Sequence, residues 1–515
     1  MKERNQSVLN KKEFIKQLRK TTKKAGQVFI VRIFSQVIGL IAGIIYARFL
    51  GADLYGVFQL AFTTISVLLL FTVFGMSSGL IRYIPIFRTD RNKEALRGVI
   101  NFSLTFAFLL SSIAAILLFL EKDFISNTIF HEPRLSKVLP IFCFILIFYS
   151  VITVLGGVIQ AEKEAPAFIF FRYVLDGLFS VLIFVGFYFF FRMKLLGISW
   201  AKFLSSIFIL LITIRWVIKK FPFLLSKPLL PRINKKEFVL YSASLLFVSF
   251  TYFLMNQVNN LLIGVYSVSK EVGFYSVGNI VAGLVIFILT SFNIIFAPIV
   301  SELYHKKEYE TLSKMYSAVT RLVWIFTLPI FIWIVIFSDG ILSIFGPDFV
   351  AAKWVLIFLA IGQFVNAAVG PNGLILSMSG HQKWEMLNGV VVATLNIGLN
   401  ILLIPRFGAV GSAIGGAIAL VIVNIIRTIE VWGIMKMFPY NIKFIKPIFA
   451  GIVGTVALGF LKRVSGTGLV YTVVGGVIGG ILILGTIFLL GLEEEDKMLL
   501  EALKNKIFNQ FRTRG

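Results

Sequence analysis

Four ionisable side chains stand inside long apolar runs of this chain: Arg32, Arg172, Asp176 and Lys202. Each such group costs roughly 2.5–3.5 kcal/mol to insert at the centre of a bilayer helix, so it is kept for pairing or for work. Arg32 and Arg172 come early in their runs, about 7 Å in at 1.5 Å per residue. A guanidinium placed there offers a fork of donors that suits phosphate oxygens. It can equally reach back to the headgroups along its aliphatic stem. Asp176 and Lys202 lie deeper in two consecutive runs. Counted from opposite faces, their depths agree to within about one helical turn. That predicts an ion pair between neighbouring helices, with Lys202 also a candidate ligand contact and Asp176 a candidate for ion coupling. Arg48 and Arg82 sit at run ends, where anchoring is the ordinary role.

The second half carries amides instead, including Asn256, Asn259, Asn260, Asn366, Asn372, Asn396, Asn400 and Asn424. An amide both donates and accepts, which suits sugar hydroxyls. It also serves as glue between membrane helices, at about 0.6 kcal/mol on average. Asn256, Asn260 and Asn366 are the candidates for a ligand. Pro298, Pro329 and Pro371 interrupt second-half runs and are candidate bending points. The one cysteine, Cys143, reads as a small buried hydrophobe, and the three histidines are scattered in loops without metal-pair spacing. No catalytic residue, metal site or cofactor is expected.

The elements that must position these groups follow from composition. With 515 residues, 58% of them hydrophobic and 15% charged, and a mean hydropathy of +0.90, the chain is far more apolar than a soluble domain. Its apolar residues fall in runs of about 20 or more, the length of a bilayer-spanning helix. The alternating segments of about 10 residues that mark a membrane barrel are absent. The reading is an all-α polytopic membrane protein with about 14 transmembrane helices. Residues 1–27 form a basic cytoplasmic N-terminus and 28–218 hold spans one to six. A basic cytoplasmic linker occupies 219–236, spans seven to twelve occupy 237–433, an extra helix pair 434–491, and a cytoplasmic tail 492–515. The net charge of +25 collects in the segments this topology places inside, as the positive-inside rule requires. It therefore points to topology and anionic lipid, not to nucleic acid. Multi-pass insertion in the cell membrane with both termini cytoplasmic is the expectation.

The chain also repeats itself. Gly56 matches Gly273, the turn Gln160-Ala161-Glu162-Lys163 matches Ser379-Gly380-His381-Gln382-Lys383, and Leu196-Gly197 matches Phe407-Gly408, each at a spacing of roughly 210–220 residues. Six spans per repeat is an even number, so both halves enter from the same side. Two pseudo-symmetric six-helix lobes related by an axis along the membrane normal are predicted, with the C-terminal helix pair outside the repeat.

The turn Ala47-Arg48-Phe49-Leu50-Gly51, followed by Tyr55-Gly56-Val57-Phe58, resembles the signature of oligosaccharide-lipid flippases for exported polysaccharides. Leu403-Ile404-Pro405-Arg406-Phe407-Gly408-Ala409-Val410-Gly411 resembles that family's mark before span twelve, and Val272-Gly273-Phe274-Tyr275 its mark between spans seven and eight. The family shares a superfamily with lipid II flippases and multidrug antiporters. The resemblance implies two lobes around a central cavity and alternating access, with a polyprenyl-diphosphate-linked oligosaccharide as cargo. It implies glycosyltransferases and a polysaccharide polymerase as partners, beside membrane lipids. Arg32 resembles an arginine found at that place in lipid II flippases, and Arg48 belongs to the signature. Asn259-Asn260 stands where many relatives carry an acid. A cation-coupled drug antiporter is the nearest alternative, for which Asp176 and Glu430 are available acids. A membrane glycosyltransferase or polymerase is a more distant one.

Overall fold

A computed structural model describes residues 2–225, 235–466 and 468–497, with side chains from residue 26 onward except those of 225, 248, 251, 252, 255, 256 and 465. The chain is all-helical among these residues, and eleven of its helices are long and apolar enough to cross a membrane. Two of the eleven, Gly26–Thr89 and Gln382–Met435, each hold two spans, because the backbone turns at Gly51 (φ 75°) and at Gly408 (φ 56°). Each folds back on itself: the Tyr46 and Phe58 rings, on opposite arms of the first, lie 6.0 Å apart. In the second, a β-carbon on Gly411 would lie 2.4 Å from the Leu403 carbonyl oxygen. The arms of the first are spans one and two, and those of the second spans eleven and twelve.

Spans three to six are Lys93–Leu120, Leu135–Ala161, Ala165–Phe191 and Leu195–Lys220. Span seven is interrupted at Gln257 into Lys235–Asn256 and Val258–Tyr266. Spans eight and nine are Ser269–His305 and Tyr309–Ile336. Span ten is broken into Lys353–Ala368 and Asn372–Met378, and spans thirteen and fourteen are Ile445–Ser465 and Leu469–Leu489. The arrangement is compatible with fourteen spans.

One local expectation needs correction: His305 closes a helix and is not a loop residue. The first helix begins at Lys2, well before the apolar run, because the basic lead-in is rich in good helix formers. Pro371 stands at a break between two helices, whereas span eight continues through Pro298 and span nine through Pro329.

Packing follows from apolar pattern. Span four is apolar on every side and forms the centre of the first lobe, as a helix without a polar face must. Spans one and two pack most extensively against span eight, which joins the lobes. A single core runs through both lobes at the end of the molecule that holds the turns at Gly51 and Gly408, including Tyr55, Phe142, Val277 and Phe349. Toward the opposite end the lobes have separate cores, one around Met76, Ile100 and Val158 and the other around Leu289, Tyr316 and Ile375. The lobes are thus fused at the first end and separately packed toward the other, except that the start of span seven goes with the first lobe, where Phe238 joins its core and Tyr83 donates to Glu237.

Candidate functional site

The first lobe holds a buried charged cluster built on an irregular helix. Span five opens with a π-turn at Phe170–Leu175, and such wide turns often mark functional sites because they re-aim the side chains they carry. The turn leads directly into Asp176, whose residue is 4% exposed. Asp176 Oδ2 accepts hydrogen bonds from Lys202 Nζ at 3.1 Å, Tyr149 OH at 3.1 Å and Arg172 Nη1 at 3.3 Å. Oδ1 accepts from Ser205 Oγ at 2.7 Å. The Arg172 guanidinium lies over the Tyr149 ring, 3.8 Å from its centre, so a cation–π contact adds to its support. Two cations share one carboxylate, and the cluster keeps one surplus positive charge. A buried ion pair is tolerable only when its remaining hydrogen-bonding capacity is met, and Tyr149 and Ser205 meet it here.

The predicted Asp176–Lys202 pair is present, and Arg172, expected to act separately, is drawn into it. Tyr149 and Ser205 were not anticipated. Ser205 sits one turn beyond Lys202 on span six, so the spacing was available as a signal. Span one packs beside this cluster: a β-carbon on Gly177 would lie 2.6 Å from Ile38, and Tyr46 OH and Ser180 Oγ share a hydrogen bond of 2.6 Å. Spans one and five run parallel. Arg32 is six positions inward of Ile38 and Arg172 five inward of Gly177, so the two stand within about one turn of each other in depth. Arg32 is exposed, and its side chain has no hydrogen-bond or ion-pair partner among the described residues.

Arg48 takes no part in this cluster and donates to the Ile344 carbonyl at 3.3 Å, a contact from one lobe to the other. Beside it, Arg134 Nη2 bonds Asp53 Oδ1 at 2.8 Å and Glu132 Oε2 at 2.7 Å, and Ser269 of the second lobe donates to Asp53 at 2.6 Å. Burial lifts the Glu132 carboxyl, but the hydrogen bonds from Arg134 and Ser269 and the Arg134 charge together outweigh it and hold the group below the usual carboxylate range.

In the second lobe the amides bond mainly to one another. Asn259 Oδ1 accepts from Asn396 at 2.9 Å and Asn400 at 3.2 Å. Asn424 donates to Asn366 at 3.0 Å and faces Asn372 across the break in span ten. Asn260 accepts a long bond of 3.4 Å from Ser276, and the side chain of Asn256 lies outside the described residues. Two pairs were missed: Arg427 grips Glu385, and Asn388 donates to Glu430 at 2.6 Å. Among the described residues no group of His, Cys, Asp and Glu could hold a metal ion.

Comparison with known proteins places this arrangement. Residues 45–354 match a family described as "Polysaccharide biosynthesis protein". A Haloferax volcanii protein named probable low-salt glycan biosynthesis flippase Agl15 is 26% identical over 286 residues, which are 55% of this chain and 59% of that protein. The chain thus spans under two thirds of that relative. The uncharacterized membrane protein MJ1068 of Methanocaldococcus jannaschii is 24% identical over 479 residues, 87% of this chain and 91% of that one. Among solved structures, the lipid II flippase MurJ in an inward closed conformation aligns with a TM-score of 0.68 at 16% identity, covering 90% of this chain and 98% of that one. An inward-facing multidrug resistance MATE transporter of the MOP superfamily aligns with a TM-score of 0.62 at 16% identity, covering 79% and 98%. At that identity the likeness is one of fold.

Proposed function

The chain belongs to the polysaccharide biosynthesis protein family, and on that premise we propose that it is a flippase for a polyprenyl-diphosphate-linked oligosaccharide, working across the cell membrane by alternating access. The observation that carries the reading is the surplus positive charge of the Arg172–Asp176–Lys202 cluster, set at nearly the depth of the free Arg32. Two guanidiniums and an ammonium on adjacent spans suit a diphosphate, and the separate cores of the lobes allow it to approach from the cytoplasmic side. Second-lobe amides such as Asn260 and Asn366 suit the sugar. Both termini are cytoplasmic in this scheme, and the enzymes that build and polymerise the glycan work beside it.

The drug-antiporter alternative asks for a carboxylate free to take a cation. Asp176 is already held by two cations, and Glu430 by Asn388, which favours an anionic cargo. A membrane glycosyltransferase would leave a new glycosidic bond. The test is transfer of a fluorescent prenyl-diphosphate disaccharide across liposomes containing the purified protein. Movement with the probe chemically unchanged is expected. No movement in wild-type protein overturns the flippase, and a new glycosidic bond supports an enzyme instead.

A further inference from the structure

Two departures from the internal repeat fall on the same side of the molecule. Span ten is broken between Ala368 and Asn372, whereas its counterpart, span four, is one unbroken helix. Span nine is covered by the last helix pair, whereas its counterpart, span three, faces lipid. The apolar window of span nine is 61% buried against 28% for span three, where Ile116 and Leu120 are exposed.

A helix broken inside a membrane frees carbonyls that lipid cannot satisfy. Gly370 at the break has φ 72°, and a β-carbon there would lie 2.1 Å from Thr320 Oγ1, so the break is built in tightly against span nine. Three aromatic donors take the freed oxygens. Tyr316 OH donates to Val369 at 3.0 Å, while Trp324 Nε1 and Tyr440 OH donate to Ala368 at 2.8 and 3.1 Å. Tyr316 and Trp324 belong to span nine, but Tyr440 belongs to the strap that leads from span twelve into span thirteen. The strap is anchored in turn, because Asn441 donates to Ser317 at 3.0 Å and the Tyr440 ring packs on Phe444 at 5.1 Å. The pair beyond it grips span nine along its length. Arg321 bonds Asp496, Trp333 Nε1 donates to the Thr472 carbonyl, and Lys462 donates to that of Ile336. On the far side of the break, Asn366 and Asn372 are both bonded to Asn424.

We infer that the last helix pair and its strap are the support of the span-ten break, and that Tyr440 is a positioning residue which, through the break, sets how Asn366 meets the cargo. The support stands on the geometry alone; its consequence for cargo rests on the flippase reading. The test uses the full chain, with Tyr440→Phe, which deletes one hydroxyl and keeps the ring, and Trp324→Phe as a second variant. Hydrogen exchange in lipid nanodiscs should rise about fivefold at residues 367–373, the factor for one lost hydrogen bond, with the rest of the second lobe unchanged. In liposomes, the half-saturating concentration of the fluorescent prenyl-diphosphate disaccharide should rise in Tyr440→Phe while the maximal rate holds. Unchanged exchange in Tyr440→Phe overturns the support by the strap, even where Trp324→Phe shows that span nine holds the break, and so does a rise spread over the whole lobe. A local rise with unchanged half-saturation overturns the positioning role. Wild-type protein that leaves the probe in place overturns the flippase reading, and exchange still decides the support.

Discussion

Gly56 and Gly273, equivalent positions of the two repeats, make reciprocal contacts across the lobe interface. A β-carbon on Gly56 would lie 1.7 Å from the Ser269 carbonyl oxygen, and one on Gly273 would lie 2.1 Å from that of Ala52. Ala52 and Ser269 are themselves equivalent positions, so the contact is isologous, like the interface of a two-fold dimer. Both glycines are buried, and the partner atoms are backbone, which cannot move aside. This close approach seals the two lobes together here. Gly56→Ala or Gly273→Ala should therefore open the seam, at about 1–3 kcal/mol as for other overpacked sites. In a Cys143→Ala background, cross-linking between cysteines placed at Asp53 and Ser269 should fall several-fold in either alanine variant. An unaltered yield would mean that the seam yields elsewhere.

The charged cluster predicts unequal effects from its members. Asp176→Asn leaves Arg172 and Lys202 buried together without a counter-charge, so it should be the most destabilising single change, about 3–5 kcal/mol. Arg172→Ala keeps the Lys202–Asp176 pair and should insert and fold. Arg32→Ala removes an exposed group and should leave stability within about 0.5 kcal/mol of wild type. The Arg32→Ala/Arg172→Ala double variant should nonetheless lose most transport. Thermal unfolding in detergent beside glycan export in cells separates the two effects, and normal export by the double variant would remove the diphosphate assignment.

The pairing of Asp176 with Lys202 was legible because two charges at matched depth in neighbouring apolar helices have few alternatives to each other. Tyr149 and Ser205 were not, since hydroxyls in membrane helices commonly bond their own backbone and carry no signal of a distant partner, as Ser103 and Thr213 show. The hairpin turn at Gly51 announced itself by glycine and charge, and the repeat announced the lobes. The support of span ten did not, because it joins Ala368 to donors 44 and 72 residues away and lies outside the repeat. Arg172 misled for a related reason. Depth was read from helical rise, while the π-turn that aims its side chain at Asp176 leaves no pattern in an aromatic run such as Phe170–Leu175.

The Arg134 cluster predicts a response to acid. Glu132 is held below the usual carboxylate range in the folded protein. Its contribution to stability is therefore present above the ordinary value, near pH 4.3, and is lost as pH falls through the depressed one. Wild type should lose thermal stability between pH 5 and pH 3 more steeply than Glu132→Gln, which has no such carboxylate to protonate. The difference should be small, because Arg134 is partly exposed and solvent screens the pair. Equal slopes for the two proteins would show that Arg134 is held by Asp53 alone.

Arg321 and Asp496 form an ion pair whose side chains are only 3% and 2% exposed. Breaking a buried pair from one side leaves the other charge stranded, at about 3–5 kcal/mol. Asp496→Ala should thus be costly, although Glu495 also contacts Arg321 at 3.4 Å and absorbs part of the loss. The nearby Lys443 and Lys446 pairs with Glu493 and Glu495 are more exposed and should each matter far less. The exchanged double variant, Arg321→Asp with Asp496→Arg, restores opposite charges and should recover part of the stability that either single change removes. A double-mutant cycle on thermal unfolding measures that coupling directly. Strict additivity would mean that the contact is spatial without being energetic, and that the last helix pair is held to span nine by its apolar packing and the Trp333 and Lys462 hydrogen bonds.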